Sequence, residues 1–100
     1  MKALVIDDER LARKELISLL ERHDAIEVIG EAANAEDAEA LIAEKKPDLL
    51  FLDINMPGRN GFQLLEALDH APHVIFVTAY DEHALEAFKV NALDYVMKPV

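Results

Sequence analysis

Cysteine is missing from this chain altogether, so it holds no disulfide, no thiolate zinc site and no cysteine nucleophile. Long apolar runs are missing too. None approaches the length of a membrane span, and the charged Asp7-Asp8-Glu9-Arg10 interrupts the apolar start, so no signal peptide is expected. The expected location is the cytoplasm. Basic residues are scarce. Ten Lys and Arg face twenty Asp and Glu, a formal charge of −10. That charge repels nucleic acid and anionic membranes, so direct binding to either is not expected. It suits basic protein surfaces and hard cations instead. The four histidines, at 23, 70, 73 and 83, are too dispersed to ligate one metal and read as surface or packing residues. No internal repeat, low-complexity segment or linker interrupts the sequence.

What is present is an apolar framework with chemistry at its ends. The 52% hydrophobic fraction argues for a folded globule, and 100 residues make a single domain that can bury a core. Short apolar runs bounded by turn signals read as buried strands. Leu49 to Leu52 ends in Asp53, followed by a Pro57-Gly58 break. Leu4-Val5-Ile6 ends in Asp7-Asp8, Val74 to Val77 in Thr78, and Tyr95-Val96-Met97 in Lys98. Strands are expected at 2–7, 26–31 (a loosely alternating edge strand), 48–53, 73–78 and 93–97. Helices are expected at 9–23, with an apolar stripe from Leu11 to Leu20, and at 35–45, capped by Asn34 and stopped by Pro47. A short third helix is marked by Phe62, Leu65 and Leu68. A fourth, capped by Asp81, holds Leu85 and Phe88. Such alternation implies a parallel α/β sheet covered on both faces. The flavodoxin-like doubly wound order 2-1-3-4-5 would place strands 1, 3, 4 and 5 side by side, their active side chains at one edge.

Carboxylates gathered at one edge need compensation. Two charges about 4 Å apart repel by roughly 4 kcal/mol at an effective dielectric near 20. The cluster of Asp7, Asp8 and Asp53 therefore needs a cation or raised pKa values, and Lys98 supplies a single positive charge. An all-oxygen donor set favours Mg²⁺ over zinc. A carboxylate, Mg²⁺, a hydroxyl and a lysine together make a phosphoryl-transfer set. In that chemistry Asp53 is the nucleophile that forms an acyl phosphate, with Thr78 and Lys98 on the phosphoryl oxygens.

The motifs Ile6-Asp7-Asp8-Glu9, Leu52-Asp53-Ile54-Asn55-Met56-Pro57 with Gly61, Val77-Thr78-Ala79 and Lys98-Pro99 span the chain. In order and spacing it resembles a receiver domain of two-component response regulators. The stretch from Thr78-Ala79-Tyr80-Asp81 to Asp94-Tyr95 looks most like receivers joined to LytTR-type DNA-binding domains. The resemblance implies that Asp53 accepts a phosphoryl group from a sensor histidine kinase. It implies Asp8 and Asp53 as direct Mg²⁺ ligands, the Asn55 carbonyl oxygen as a third, and Asp7 acting mostly through metal-bound water. Lys98 would pair with the acyl phosphate, Thr78 would be the switch hydroxyl and Tyr95 the switch aromatic. The controlled output would be a transcriptional effector domain that this chain does not contain.

Three other readings are weighed against this one. A haloacid-dehalogenase-like phosphatase needs a second Asp two positions after its nucleophile, where Asn55 stands. A flavodoxin-like cofactor binder needs a Ser/Thr/Gly-rich phosphate loop after the first strand, where Asp7-Asp8-Glu9 stands. An interaction module that never accepts phosphate does not need an intact acidic site. The chain stops at Val100, two residues after Lys98, where the family adds a fifth helix, so it reads as a receiver truncated before that helix. The apolar stripe from Leu11 to Leu20 is wider than one sheet face requires. Self-association as a homodimer, or exchange of elements between copies, is the expected consequence.

Overall fold

The uninterrupted apolar runs become the inner strands of one parallel sheet. The computed structural model of the chain describes residues 1–70, 72–79 and 94–98. Strands β1 (Lys2–Ile6), β2 (Glu27–Ala32), β3 (Leu49–Leu52), β4 (His73–Thr78) and β5 (Asp94–Met97) run parallel in the order β2-β1-β3-β4-β5. Helices α1 (Arg10–Leu20), α2 (Ala35–Lys45) and α3 (Gly61–Glu66) connect them. The expected fold class and strand order are therefore those observed. The expected fourth helix, with Asp81, Leu85 and Phe88, lies outside the described residues.

Burial on both faces explains why the strands read as runs rather than alternations. Leu4, Ile6, Leu50, Leu52 and Phe76 point to one side, where they meet Ala38 and Ile42 of α2 and Phe62 and Leu64 of α3. The Phe62 and Phe76 rings meet with centroids 5.1 Å apart and planes inclined at 57°, a favourable tilted contact. Ala3, Val5, Phe51 and Val77 point to the other side, against Leu16, Ile17 and Leu20 of α1.

Local chemistry sets the element ends. Asn34 caps α2 through Oδ1, which accepts the Asp37 N–H at 2.8 Å. Lys46 then takes a left-handed conformation (φ 47°) just before Pro47, which ends the helix. The loose pattern of β2 has a physical origin. Val28 pairs with Ala3 and Gly30 with Leu4, so Ile29 is an extra residue in a bulge and the alternation slips there. Helix α1 is shorter than the expected 9–23. The Arg22 and His23 N–H groups bond the carbonyls of Leu19 and Leu20, three residues back, so the last turn tightens out of α geometry.

Candidate functional site: an acidic pocket at the carboxyl edge

Main-chain hydrogen bonds carry each strand one residue past its end and deliver the polar side chains to a common rim. Asp7 N–H donates to Ala32 O at 3.0 Å, Asp53 N–H to Ile6 O at 2.9 Å, and Lys98 N–H to Thr78 O at 2.7 Å. Asp7, Asp53 and Thr78 are consequently the buried polar residues of the described core. Carboxylate oxygens of Asp7, Asp8 and Asp53 all lie within 4.8 Å of one another, with Asp8 exposed at the mouth. Lys98 Nζ lies 2.7 Å from Asp7 Oδ2, 3.4 Å from Asp53 Oδ2 and 3.3 Å from Glu9 Oε1.

The electrostatics follow from this geometry. Burial pushes the Asp53 carboxyl up from its ordinary 3.8 to about 6, and the charge of Asp7 adds to the rise; Lys98 and the Asn55 N–H oppose it. Burial disfavours the Lys98 ammonium, but its hydrogen bond to Asp7 and the charges of Asp53 and Asp7 prevail and raise its pKa. Local negative charge thus exceeds what one ammonium compensates. Hard, partly exposed oxygen donors at such spacing are a fitting donor set for Mg²⁺.

The loop after β3 is held by a close approach and a cap. Gly61 N–H donates to Ile54 O at 2.9 Å, and a Cβ on Gly61 would stand 2.8 Å from the Asp53 carbonyl oxygen. Only glycine fits there without moving the Asp53 backbone. Asn60 and Gln63 form a reciprocal capping box at the start of α3. Asn55 N–H donates to Asp53 Oδ1 at 3.3 Å, and Asn55 Nδ2 approaches Thr78 Oγ1 at 3.4 Å. Arg59 pairs with Glu36 and Glu39 and ties the loop to α2.

A scan against known families matches residues 3–100 to the response regulator receiver domain. The chain belongs to that family. Over 102 residues this receiver domain is 54% identical to an "Uncharacterized response regulatory protein" of Vibrio cholerae, which it matches along its whole length and 43% of that protein's. It is 50% identical to the "Sensory transduction protein LytT" of Bacillus anthracis, covering 99% of this chain and 42% of that one. The chain therefore spans about two-fifths of these curated relatives. Among solved structures, the response regulatory domain of mrkE from Klebsiella pneumoniae superposes with a TM-score of 0.89 at 38% identity, covering all of this chain and 84% of that one.

Of the residues singled out in the sequence, the receiver fold brings Asp7, Asp8, Asp53, Asn55, Thr78 and Lys98 to one rim. Tyr95 stands on β5 opposite Phe76, and the switch role read for its side chain falls outside the described side chains. Two further side chains take part. Glu9 carries no assigned pocket role in the sequence motifs. It is the N-cap but makes no side-chain cap, and its carboxylate turns to Lys98 instead. Arg13 donates from Nη1 to the Asp7 carbonyl at 2.8 Å and from Nε to Glu31 at 2.9 Å. Its signal was available, since 13, 16, 17 and 20 form one helical stripe and an arginine in such a stripe needs a buried partner.

No described helix is long and apolar enough to cross a membrane. A groove of about 760 Å³ lies between the far ends of α2 and α3, lined by Ile42, Pro47, Leu68 and Pro72, and contains no residue of the acidic pocket.

Proposed function

We propose that this receiver domain is a phosphorylation-controlled switch. Asp53 accepts a phosphoryl group from the phosphohistidine of a sensor histidine kinase. An Asp53 oxygen forms the new P–O bond as the P–N bond to the histidine breaks, and the imidazole leaves with the bonding pair. The observation that carries this reading is the buried Asp53 carboxylate, gathered with Asp7 and Asp8 within 4.8 Å and beside the Lys98 ammonium. Asp8, Asp53 and the Asn55 carbonyl oxygen would hold Mg²⁺, with Asp7 acting through metal-bound water. When bound, Mg²⁺ neutralises carboxylate and phosphoryl charge. Lys98 can turn from Asp7 towards the phosphoryl oxygens. The Thr78 hydroxyl, buried beside this rim, forms a charge-assisted hydrogen bond with the phosphoryl group and biases a pre-existing equilibrium that reaches the surface carrying Tyr95. The chain catalyses only its own phosphoryl transfer and hydrolysis.

We propose with it a cytoplasmic regulator whose effector is a DNA-binding transcriptional domain; the likeness to a relative named for sensory transduction supports the signalling part of that reading. Leu11, 69% exposed, borders a groove of about 350 Å³ between α1 and the ends of β4 and β5, which supports self-association through this side. Incubation with acetyl phosphate and Mg²⁺ followed by intact-mass measurement tests the central reading. A single phosphoryl adduct is expected on the parent and none on Asp53→Asn. An unmodified parent, or an adduct that survives Asp53→Asn, would refute it.

A further inference from the structure

The β1–α1 turn must aim two carboxylates, Asp7 and Asp8, at Asp53. Three bonds fix Asp7 in that turn. Its N–H donates to Ala32 O at 3.0 Å, and its Oδ1 accepts the Glu9 N–H at 2.9 Å. The third comes from six residues further on, where Arg13 Nη1 donates to the Asp7 carbonyl at 2.8 Å. Arg13 is itself anchored, because Nε donates to Glu31 Oε1 on β2 at 2.9 Å and only 14% of its side chain is exposed. One planar guanidinium thus joins α1, the end of β1 and the end of β2. A lysine, with a compact ammonium in place of a rigid fork, does not reproduce that geometry.

The Arg13 contact is to the main chain of Asp7, not to its carboxylate, whose Oδ1 accepts the Glu9 N–H and whose Oδ2 faces Lys98. We propose that Arg13 is a positioning residue for the metal site: it sets the direction in which Asp7 and Asp8 leave β1, and so the affinity of the pocket for a divalent cation. This inference rests on the Mg²⁺ reading given above. It predicts an effect opposite in sign to simple electrostatics. Removing a nearby positive charge tightens cation binding, whereas releasing the turn weakens it.

The test is an NMR titration of the 100-residue chain with Mg²⁺, run well below each variant's melting temperature. Groups that orient metal ligands typically change affinity tenfold or more, so Arg13→Met is expected to raise the Mg²⁺ Kd roughly tenfold. Arg13→Lys keeps the charge and loses the fork, and is expected to show most of that loss. It also carries the test if Arg13→Met does not fold. A Kd equal to or tighter than the parent's in Arg13→Met, or a parental Kd in Arg13→Lys, would overturn the proposal, even if the melting temperature fell. Asp8→Ala separates the two levels. If the parent binds no Mg²⁺, or Asp8→Ala binds it equally well, the metal reading fails and the Arg13 role falls with it.

Discussion

Replacing Asp53 by asparagine should stabilise the metal-free protein. Asp53 is only 4% exposed, 3.4 Å from the Lys98 ammonium and within 4.8 Å of two other carboxylates. Its carboxyl is raised from 3.8 to about 6 by burial and by Asp7. A rise of that size corresponds to about 3 kcal/mol against the ionised form in the folded state. The folded state binds the extra proton, so this stabilisation is present below about pH 4 and is lost as the pH climbs through 6. At pH 7.5 the parent carries the full penalty and Asp53→Asn does not. The asparagine keeps an acceptor for the Asn55 N–H, and Lys98 keeps Asp7 at 2.7 Å. The favourable Lys98 contact is already contained in that net rise and is not subtracted again. The expected net gain is about 1–3 kcal/mol, or at least about 4 °C in melting temperature for a domain of this size. Thermal unfolding in EDTA at pH 7.5 and at pH 4 reads it out. The advantage should be present at pH 7.5, vanish at pH 4, and shrink when Mg²⁺ is added, since the cation favours the parent. An Asp53→Asn protein no more stable than its parent in EDTA at pH 7.5 would refute the charge-repulsion account of the pocket.

Mg²⁺ at ten times its Kd should stabilise the parent by about 1.4 kcal/mol, and EDTA or Asp8→Ala should abolish that gain in a melting series. Gly61→Ala forces a Cβ to within 2.8 Å of the Asp53 carbonyl oxygen. It should cost about 1–3 kcal/mol in urea unfolding and weaken Mg²⁺ binding as the Asp53 backbone shifts. Asn60→Ala removes the capping box of α3 and should cost about 1 kcal/mol by the same measurement.

The sequence by itself determined the fold class and the rim. Strands buried on both faces must be nearly all apolar, so each polar residue that closed a run, from Asp7 to Lys98, marked where a strand ended. Parallel alternation with helices then left few topologies, and the observed order is among them. Pro47 and the Asn34 cap made α2 legible to its last residue, because these are local effects that need no partner. Only the tertiary structure decided which charges meet. Lys98 and Asp53 are 45 residues apart in sequence and 3.4 Å apart in the pocket, and no periodicity encodes that distance. The bulge at Ile29 arises from pairing with β1, so β2 alone read merely as irregular. The pocket contacts of Glu9 and Arg13 are not legible in the sequence for the same physical reason. A charged side chain on a helix is assigned to solvent by default, and its partner is fixed only when strands distant in sequence are brought side by side.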